Sequence, residues 1–448
     1  MLEGSGDSVG SAVAEPVAPT TGRRSSMGAL RTALASRPWI SASAGAWLIS
    51  RCIVFAAGIA AFLALGNGPD ASYDFLGLTG HLGAVGDALA APVIHWDGIW
   101  YLALASHGYL HSVEAAYYPL YPLLISLLAP LTGSDIVASF VISVGCLFGA
   151  LALLYRLTCL EIGEAAAHRT LYLLALFPTA LFFSATYPES LFLLLEVGAV
   201  LAARRGRWAS AGALGGLAAA ARNSGVLLLI PLLLLYLYGP RSGRSEEPAV
   251  GGREDWGSLP TCLRIRGLQA PRYRLRPDAC WLGLVPLGLI AVVLMNLILF
   301  NDPLASWHAE AHWQRGFAGP LSALWEGISP AATAVGHLLS GHISSGALQQ
   351  LALLGTALLA VVAVIGVCLR LPAAYGAYSA AALLWALSAP EQGHPLASSA
   401  RYVLTIFPLF MWGGSGLKDR RALTVVLGVF VVGLVYCSAR FATWHWVA

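Results

Sequence analysis

The sequence is poor in charged residues. Asp, Glu, Lys and Arg make up only 11% of its 448 residues, whereas 57% are apolar and the mean hydropathy is +0.70. Soluble domains carry roughly 25% charged residues, so this composition excludes an ordinary soluble enzyme and predicts a polytopic membrane protein. Lysine is nearly absent as well, because Lys418 is the single example, so the membrane topology has to be inferred from the arginines.

Several motifs typical of other protein classes are missing. No Walker or dinucleotide-binding glycine loop is present, so a nucleotide-linked substrate is not indicated, and any donor substrate is expected to be carried by the membrane. The seven cysteines lack metal-binding spacing, and the zinc-protease pattern HExxH does not occur. His308 and His312 are four residues apart, but no third ligand accompanies them. We therefore predict neither a metal site nor a cofactor.

Apolar runs long enough to cross a bilayer as helices occur throughout the chain. They predict about eleven spans, at 40–65, 135–157, 168–186, 188–204, 207–221, 223–239, 279–300, 347–370, 373–389, 401–417 and 421–440. The run 116–132 is also apolar, but three prolines interrupt it, and we predict a short interfacial or re-entrant helix there. The predicted fold class is an all-α polytopic membrane protein.

The arginines predict the topology. Residues 1–38 are rich in Gly, Ser, Ala and Pro without an apolar core, which is typical of a disordered tail and not of a signal peptide. The membrane domain is predicted at 39–441, with a charged linker at about 240–278 and long loops at about 66–134 and 301–346. The positive-inside rule places the tail and the linker in the cytoplasm and both long loops outside. The predicted outer segments hold few arginines, namely Arg222, Arg315, Arg401 and Arg440.

The first outer loop contains the segment HWDGIWYLALASHGY. Its carboxylate, Asp97, lies one turn before Tyr101 on a predicted helix, with Trp96 and Trp100 on the adjacent stripe. A carboxylate held among aromatic rings at a membrane surface can accept a proton from a hydroxyl. Asp97 is therefore a candidate general base, and the alternative of an acid that only caps an interfacial helix stays open.

Other polar residues fall at the predicted outer ends of spans. Glu189, in FFSATYPESLF, is either a second functional carboxylate or an acid in the first turn of a helix. Arg222 and Arg401 run against the positive-inside bias, so each is expected to have a partner, for which a lipid phosphate is the functional candidate. The alternatives are a snorkelling arginine or an intramembrane pair with a carboxylate. Arg315 is a further phosphate candidate. His95 adjoins Asp97 and is either a substrate contact or a structural histidine.

Six segments occur together in an order typical of one family. They are HWDGIWYLALASHGY, YYPLYPLL, FFSATYPESLFLLL, AAARNSG, FNDPLASWHAEAHWQRGF and ARYVLTIFPLF. Together they resemble the GPI mannosyltransferase 2 (PIG-V-like) family, in particular its bacterial branch, from about residue 40 to 440. The resemblance implies a GT-C fold with interfacial helices in the first outer loop. It also implies transfer of a hexose, with mannose expected, from a polyprenyl-phosphate donor with inversion at the anomeric carbon.

The resemblance further implies roles for individual residues. An acid of the first outer loop is the expected base in such enzymes, and Asp97 occupies that position, with Glu189 as the second catalytic candidate. The candidates for substrate binding are Arg401, Arg222, Trp96, Trp100, Tyr101, His95, Tyr402 and Arg315. The implied partners are the lipid-linked donor, a glycan, lipid or protein acceptor, and membrane lipids, but no nucleic acid. The expected location is a bacterial plasma membrane with the site facing outward.

Two other functions would use the same features. A transporter or flippase for lipid-linked sugars also needs outer arginines and aromatic grooves, but it is expected to contain inverted repeats and polar residues at mid-membrane. The predicted spans hold few ionisable groups at depth, chiefly Arg51 and Glu196. A non-catalytic membrane subunit is the third reading, and the complete set of Asp97, Glu189 and Arg401 argues against it.

Overall fold

The computed structural model describes Met1 and residues 37–78, 82–240, 272–341 and 344–447. Within these ranges the chain is helical and forms no strand beyond isolated bridges, so the predicted all-α fold class is confirmed. The predicted disordered tail lies almost wholly outside the described residues, and so does most of the predicted linker.

Seventeen α-helices make up the described part of the chain. They are α1 (Pro38–Leu65), α2 (Gly83–Ala90), α3 (Asp97–His107), α4 (Leu120–Thr132), α5 (Asp135–Glu161), α6 (Glu164–Ala175), α7 (Glu189–Arg204), α8 (Trp208–Ala221), α9 (Leu229–Tyr238), α10 (Leu284–Phe300), α11 (Ala305–Ala309), α12 (Ser322–Leu339), α13 (Ser345–Arg370), α14 (Ala373–Ala386), α15 (Ser399–Thr405), α16 (Phe407–Gly416) and α17 (Arg420–Ala442). Six short 3-10 helices connect them, at Pro69–Tyr73, Ser112–Ala116, Ala180–Phe183, Asn223–Leu228, Pro277–Gly283 and Glu310–Trp313.

Five helices are long and apolar enough to cross a membrane, namely α1, α5, α13, α17 and α10 together with the 3-10 turn before it. The chain is therefore an integral membrane protein. Each of the other six predicted spans holds at least one helix, but prolines shorten some of them. Helix α6 ends at Ala175, shortly before Pro178, and Pro408 follows the break at Ile406 that separates α15 from α16. The count of eleven spans stays a prediction.

The proline-rich run 116–132 forms the short helix α4. Its 13 residues rise about 20 Å, which is less than the roughly 30 Å of a bilayer's hydrocarbon core. Leu123, Leu127 and Leu131 are exposed one turn apart and give the helix one apolar face. Both features fit the short interfacial helix that the prolines predict.

Helix α7 lies at the centre of the bundle and is buried along almost its whole length. It packs against α5 on one side and α8 on the other, and α8 in turn packs against α10. Gly216 allows the last contact, because a Cβ at Gly216 would lie 2.5 Å from the carbonyl oxygen of Leu284, the first residue of α10. Packing on both sides therefore holds α7 in place. Because Glu189 is the first residue of α7, the same packing fixes the position of Glu189.

Candidate active site

A polar cavity of about 470 Å³ opens at the end of the bundle where α7 begins. Both predicted outer loops contribute to its wall, as do the ends of α8, α13, α15 and α17. Nine of the ten predicted site residues line it, namely Asp97, Glu189, Arg401, Arg222, Trp96, Trp100, Tyr101, Tyr402 and Arg315. The fold thus brings together residues that are far apart in the sequence.

Asp97 begins α3 but does not cap it. The preceding residue, Trp96, has a left-handed backbone with φ at 57°, and the helix start has no side-chain capping hydrogen bond. The Asp97 carboxylate instead turns to the cavity, where Oδ2 accepts a hydrogen bond from Arg401 Nη1 at 2.5 Å. Its Oδ1 accepts one from Tyr117 Oη at 3.4 Å. A helix-starting role explains the position of Asp97 in the chain but not these contacts.

Glu189 connects the two outer arginines. Its Oε1 accepts a hydrogen bond from Arg222 Nη1 at 2.8 Å and lies 3.6 Å from Arg401 Nε. Arg401 therefore touches both carboxylates of the site. Of the two partners that the sequence allows for these arginines, the structure shows the carboxylate. Glu189 is buried, and its Oε2 has no hydrogen-bond partner among the described residues.

Aromatic rings enclose Asp97. Trp100 stacks on Tyr117 with ring centroids 5.7 Å apart, and Tyr101 meets Tyr117 edge to face at 5.1 Å. Burial, followed by the nearby carboxylates, raises the pKa of Tyr101 and of Tyr117 well above the usual range. Both phenols therefore keep their protons and can donate hydrogen bonds in a region that excludes most water.

The second outer loop supplies the opposite wall through Arg315. Its Nη2 donates to Glu391 Oε2 and to Ser398 Oγ, both at 2.9 Å, and its Nη1 donates to Tyr402 Oη at 3.1 Å. Glu310 also lines the cavity, and burial raises its pKa. These contacts tie the loop to α15, which also carries Arg401.

The histidine pair of this loop does not form a metal site in the described residues. His308 Nδ1 lies 2.7 Å from Asp302 Oδ2, and the His312 ring lies against Trp313. The chain changes to a 3-10 helix after Ala309, so the two histidines do not share a regular helix face. Across the described ranges, no group of three His, Cys, Asp or Glu residues is arranged to hold a metal ion.

His95 is the one predicted site residue that does not reach the cavity. It is completely buried behind the wall, with its ring 4.1 Å from Trp444 and 5.2 Å from Phe441, measured between centroids. Burial lowers its pKa to about 3, so the imidazole is neutral at physiological pH. Its environment is that of a core residue, which fits the second of the two alternatives from the sequence, a structural histidine.

Several cavity residues were not identified as site residues from the sequence. Tyr117, Glu310, Glu391, Arg440 and Trp446 all line the wall. None of them belongs to a spacing that indicates chemistry. The one available signal was the position of Arg440 among the few predicted outer arginines.

A second cavity, mostly apolar and about 320 Å³ in volume, adjoins the first. Side chains from α10 and α14 form much of its lining, including Leu289, Val292 and Trp385. Arg222 and Arg315 belong to the walls of both cavities. A polar compartment and an apolar compartment therefore meet at two guanidinium groups.

Part of the chain is similar to known proteins. Residues 82–234 match the family model described as Mannosyltransferase (PIG-V). GPI alpha-1,6-mannosyltransferase 2 of Rattus norvegicus is 33% identical over 153 residues, which cover 32% of this chain and 31% of the relative. The Homo sapiens protein of the same name is 35% identical over 138 residues, 28% of each chain. The match thus spans about a third of the length of these relatives.

The matched segment contains Asp97, Glu189 and Arg222, but neither Arg315 nor Arg401. The predicted resemblance to the PIG-V-like family is confirmed over this segment. Assignment to a bacterial branch of the family stays a prediction.

Proposed function

We propose that this chain, PIG-V-like over residues 82–234, is a membrane hexosyltransferase with a GT-C fold that uses a polyprenyl-phosphate donor. The transferred sugar is mannose, in keeping with the names of the relatives. The observation that carries the proposal is the contact between Asp97 and Arg401, which are 304 positions apart in the chain and meet on the wall of one polar cavity.

The proposed reaction is a single displacement with inversion. The acceptor oxygen attacks C1 of the sugar, the bond between C1 and the phosphate oxygen breaks, and the acceptor proton moves to Asp97. A positioned base contributes roughly 10²–10⁴-fold to the rate. Arg401 orients the Asp97 carboxylate and, with Arg222, places positive charge where the lipid phosphate leaves, which contributes on the order of 10²–10³-fold. The unpartnered Oε2 of Glu189 accepts a hydrogen bond from a substrate hydroxyl.

The paired cavities support a donor that is carried by the membrane. A polyprenyl phosphate has a charged head and an apolar tail, and the two compartments offer matching surroundings on either side of Arg222 and Arg315. The concentration of other arginines in the predicted tail and linker supports a site that faces outward. We place the enzyme in a bacterial plasma membrane, with a glycan, lipid or protein as the acceptor.

A flippase for the same lipid is the alternative, and the distribution of polar groups favours the enzyme. Four arginines and five carboxylates of the described residues line one cavity at one end of α7. A labelled donor incubated with purified protein in detergent separates the two functions, because detergent abolishes transport but not transfer.

The decisive variant is Asp97→Asn. We expect transfer to fall by roughly 10²–10⁴-fold because the base is lost, with thermal stability and membrane insertion retained. Asp135→Asn is the matched control, since Asp135 also begins a helix but accepts its hydrogen bond from Ser106 outside the cavity. Product formation is measured with labelled donor under single-turnover conditions. Near-normal transfer by Asp97→Asn would remove this residue from the mechanism.

A further inference from the structure

Arg440 differs from the other arginines of the polar cavity. Arg222 is paired with Glu189, Arg401 with Asp97 and Arg315 with Glu391. For Arg440, the described residues provide no ion pair. Its Nε is buried and has no hydrogen-bond partner there. The guanidinium lies over the ring of Tyr436, with 5.8 Å from its carbon to the ring centroid.

The surface that leads to Arg440 is apolar and exposed. Val425, Val429, Val432 and Tyr436 follow one another at helical spacing on α17, and each is at least 44% exposed. Arg440 continues the same stripe one turn further on. In a bilayer this stripe faces the lipid chains, so Arg440 lies where the lipid-facing side of α17 meets the polar cavity.

On its other side, Arg440 borders a part of the cavity wall that is formed by the segment after α17. After α17 the chain turns back, and the Trp446 ring packs against Trp96 with centroids 5.1 Å apart. The Trp446 carbonyl accepts a hydrogen bond from Gln349 Nε2 at 3.2 Å. This fold-back fixes the cavity wall next to Arg440.

Local ion pairing indicates what Arg440 binds. The cavity wall holds four arginines and five carboxylates, and Arg222, Arg315 and Arg401 each lie within ion-pair distance of a carboxylate. Arg440 lacks such a partner among the described residues, and a guanidinium can bind phosphate oxygens with two parallel hydrogen bonds. The phosphate of a lipid whose chain lies along the α17 stripe would reach it directly.

We propose that Arg440 binds the phosphate of a membrane-lipid substrate at the entrance of the polar cavity. The proposal rests on the proposed function in treating that lipid as a substrate of the site. The shared chemistry is a phosphate esterified to a lipid, which either the polyprenyl-phosphate donor or a phospholipid-anchored acceptor would supply.

The test measures binding to the full chain, purified in a neutral detergent. The probes are polyprenyl phosphate, short-chain phosphatidylinositol, inorganic phosphate and uncharged polyprenol. The variants are Arg440→Ala, Arg440→Lys and, as a matched control, Arg421→Ala at the exposed opposite end of the same helix. We expect Arg440→Ala to weaken at least one lipid phosphate about 10- to 100-fold, as for loss of a charge-assisted hydrogen bond. Arg440→Lys should retain part of the affinity, and Arg421→Ala all of it.

The probes separate the two sources of phosphate. A loss confined to polyprenyl phosphate assigns Arg440 to the donor, a loss confined to phosphatidylinositol assigns it to the acceptor, and either supports the proposal. Unchanged affinity for both lipids, a loss confined to inorganic phosphate, or an equal loss for uncharged polyprenol would overturn it. Because binding needs no turnover, these results are independent of whether Asp97→Asn abolishes transfer.

Discussion

Helix α7 carries a buried ion pair at each end, and the two pairs differ in their surroundings. At its start Glu189 contacts Arg222 and Arg401, and at its end Arg204 contacts Glu161. The fifteen-residue separation along α7 places these ends about 22 Å apart. Both pairs combine a buried glutamate with arginine, so composition and burial alone do not distinguish them.

The hydrogen bonds around the two pairs separate their roles. Glu161 Oε1 also accepts from Tyr375 Oη at 2.8 Å, and Arg204 Nη1 donates to the Pro240 carbonyl at 2.7 Å. Neither Glu161 nor Arg204 lines either of the two cavities. Glu189, in contrast, keeps an unpartnered oxygen next to a polar cavity. A buried ion pair therefore indicates a site only where it borders space for a ligand and leaves hydrogen-bonding groups unused.

The largest expected effect is a loss of stability at the Glu161–Arg204 pair, which borders neither cavity. Glu161→Gln removes the carboxylate that pairs with the buried Arg204, which should cost about 3–5 kcal/mol in the free energy of unfolding. Transfer per folded molecule should be unchanged. Glu189→Gln should show the opposite balance, with a clear loss of transfer and a smaller loss of stability. Arg401 keeps Asp97, and Arg222 lines both cavities, where water can solvate its charge. Unfolding in mixed micelles measures the loss of stability, and single-turnover assays measure the loss of transfer. If the two variants lost stability and transfer in the same proportion, the difference in role between the two ion pairs would be contradicted.

The next effect concerns the ion pairs at the start of α7, which border the polar cavity. Arg401→Ala should lower transfer on the order of 10²–10³-fold, because the charge beside the leaving phosphate and the orientation of Asp97 are both lost. Apparent affinity for the donor should fall more than affinity for the acceptor. Arg204→Ala serves as the control and should affect stability alone. An unchanged apparent donor affinity in Arg401→Ala would refute the phosphate role.

The smallest effect lies behind the cavity wall, at His95. Because burial lowers its pKa from 6.5 to about 3, the unfolded chain binds a proton between these pH values and the folded chain does not. Stability should therefore fall as the pH drops below 6.5, by about 2 kcal/mol at pH 5 from this residue. His95→Gln should flatten that dependence between pH 7.5 and 5, whereas His107→Gln, at an exposed position, should leave it intact. The same slope in His95→Gln and in the unmodified chain would exclude His95 as its source.

The all-α class and nine residues of the cavity wall could be predicted from the sequence. Asp97, Glu189 and Arg222 stand out because each is a polar residue at the end of an apolar run. His95 could not be placed, because regular helix spacing begins only at Asp97 and the left-handed residue before it redirects the chain. Glu310 was missed for a related reason, since α11 ends at Ala309 and regular α-helical spacing does not continue into Glu310.

Arg440 shows a different limit of sequence analysis. Its significance depends on which other arginines already have carboxylate partners, and those pairings join residues from distant parts of the chain. The predicted spans 168–186 and 401–417 are longer than the helices within them for a local reason, because apolar character continues past Pro178 and through Pro408 while the helical hydrogen bonding is interrupted.

The left-handed backbone of Trp96 means that the segment 82–234 is not expected to keep its site geometry when it is transferred alone into another protein. A non-glycine residue in this conformation costs on the order of 1–3 kcal/mol and persists only where its neighbours enforce it. The rings that contact Trp96 belong to Tyr73, Trp444 and Trp446, all outside that segment. A chimera that received residues 82–234 alone would contain Asp97 but would lack the three aromatic rings that hold Trp96, and with it the start of α3, in this conformation.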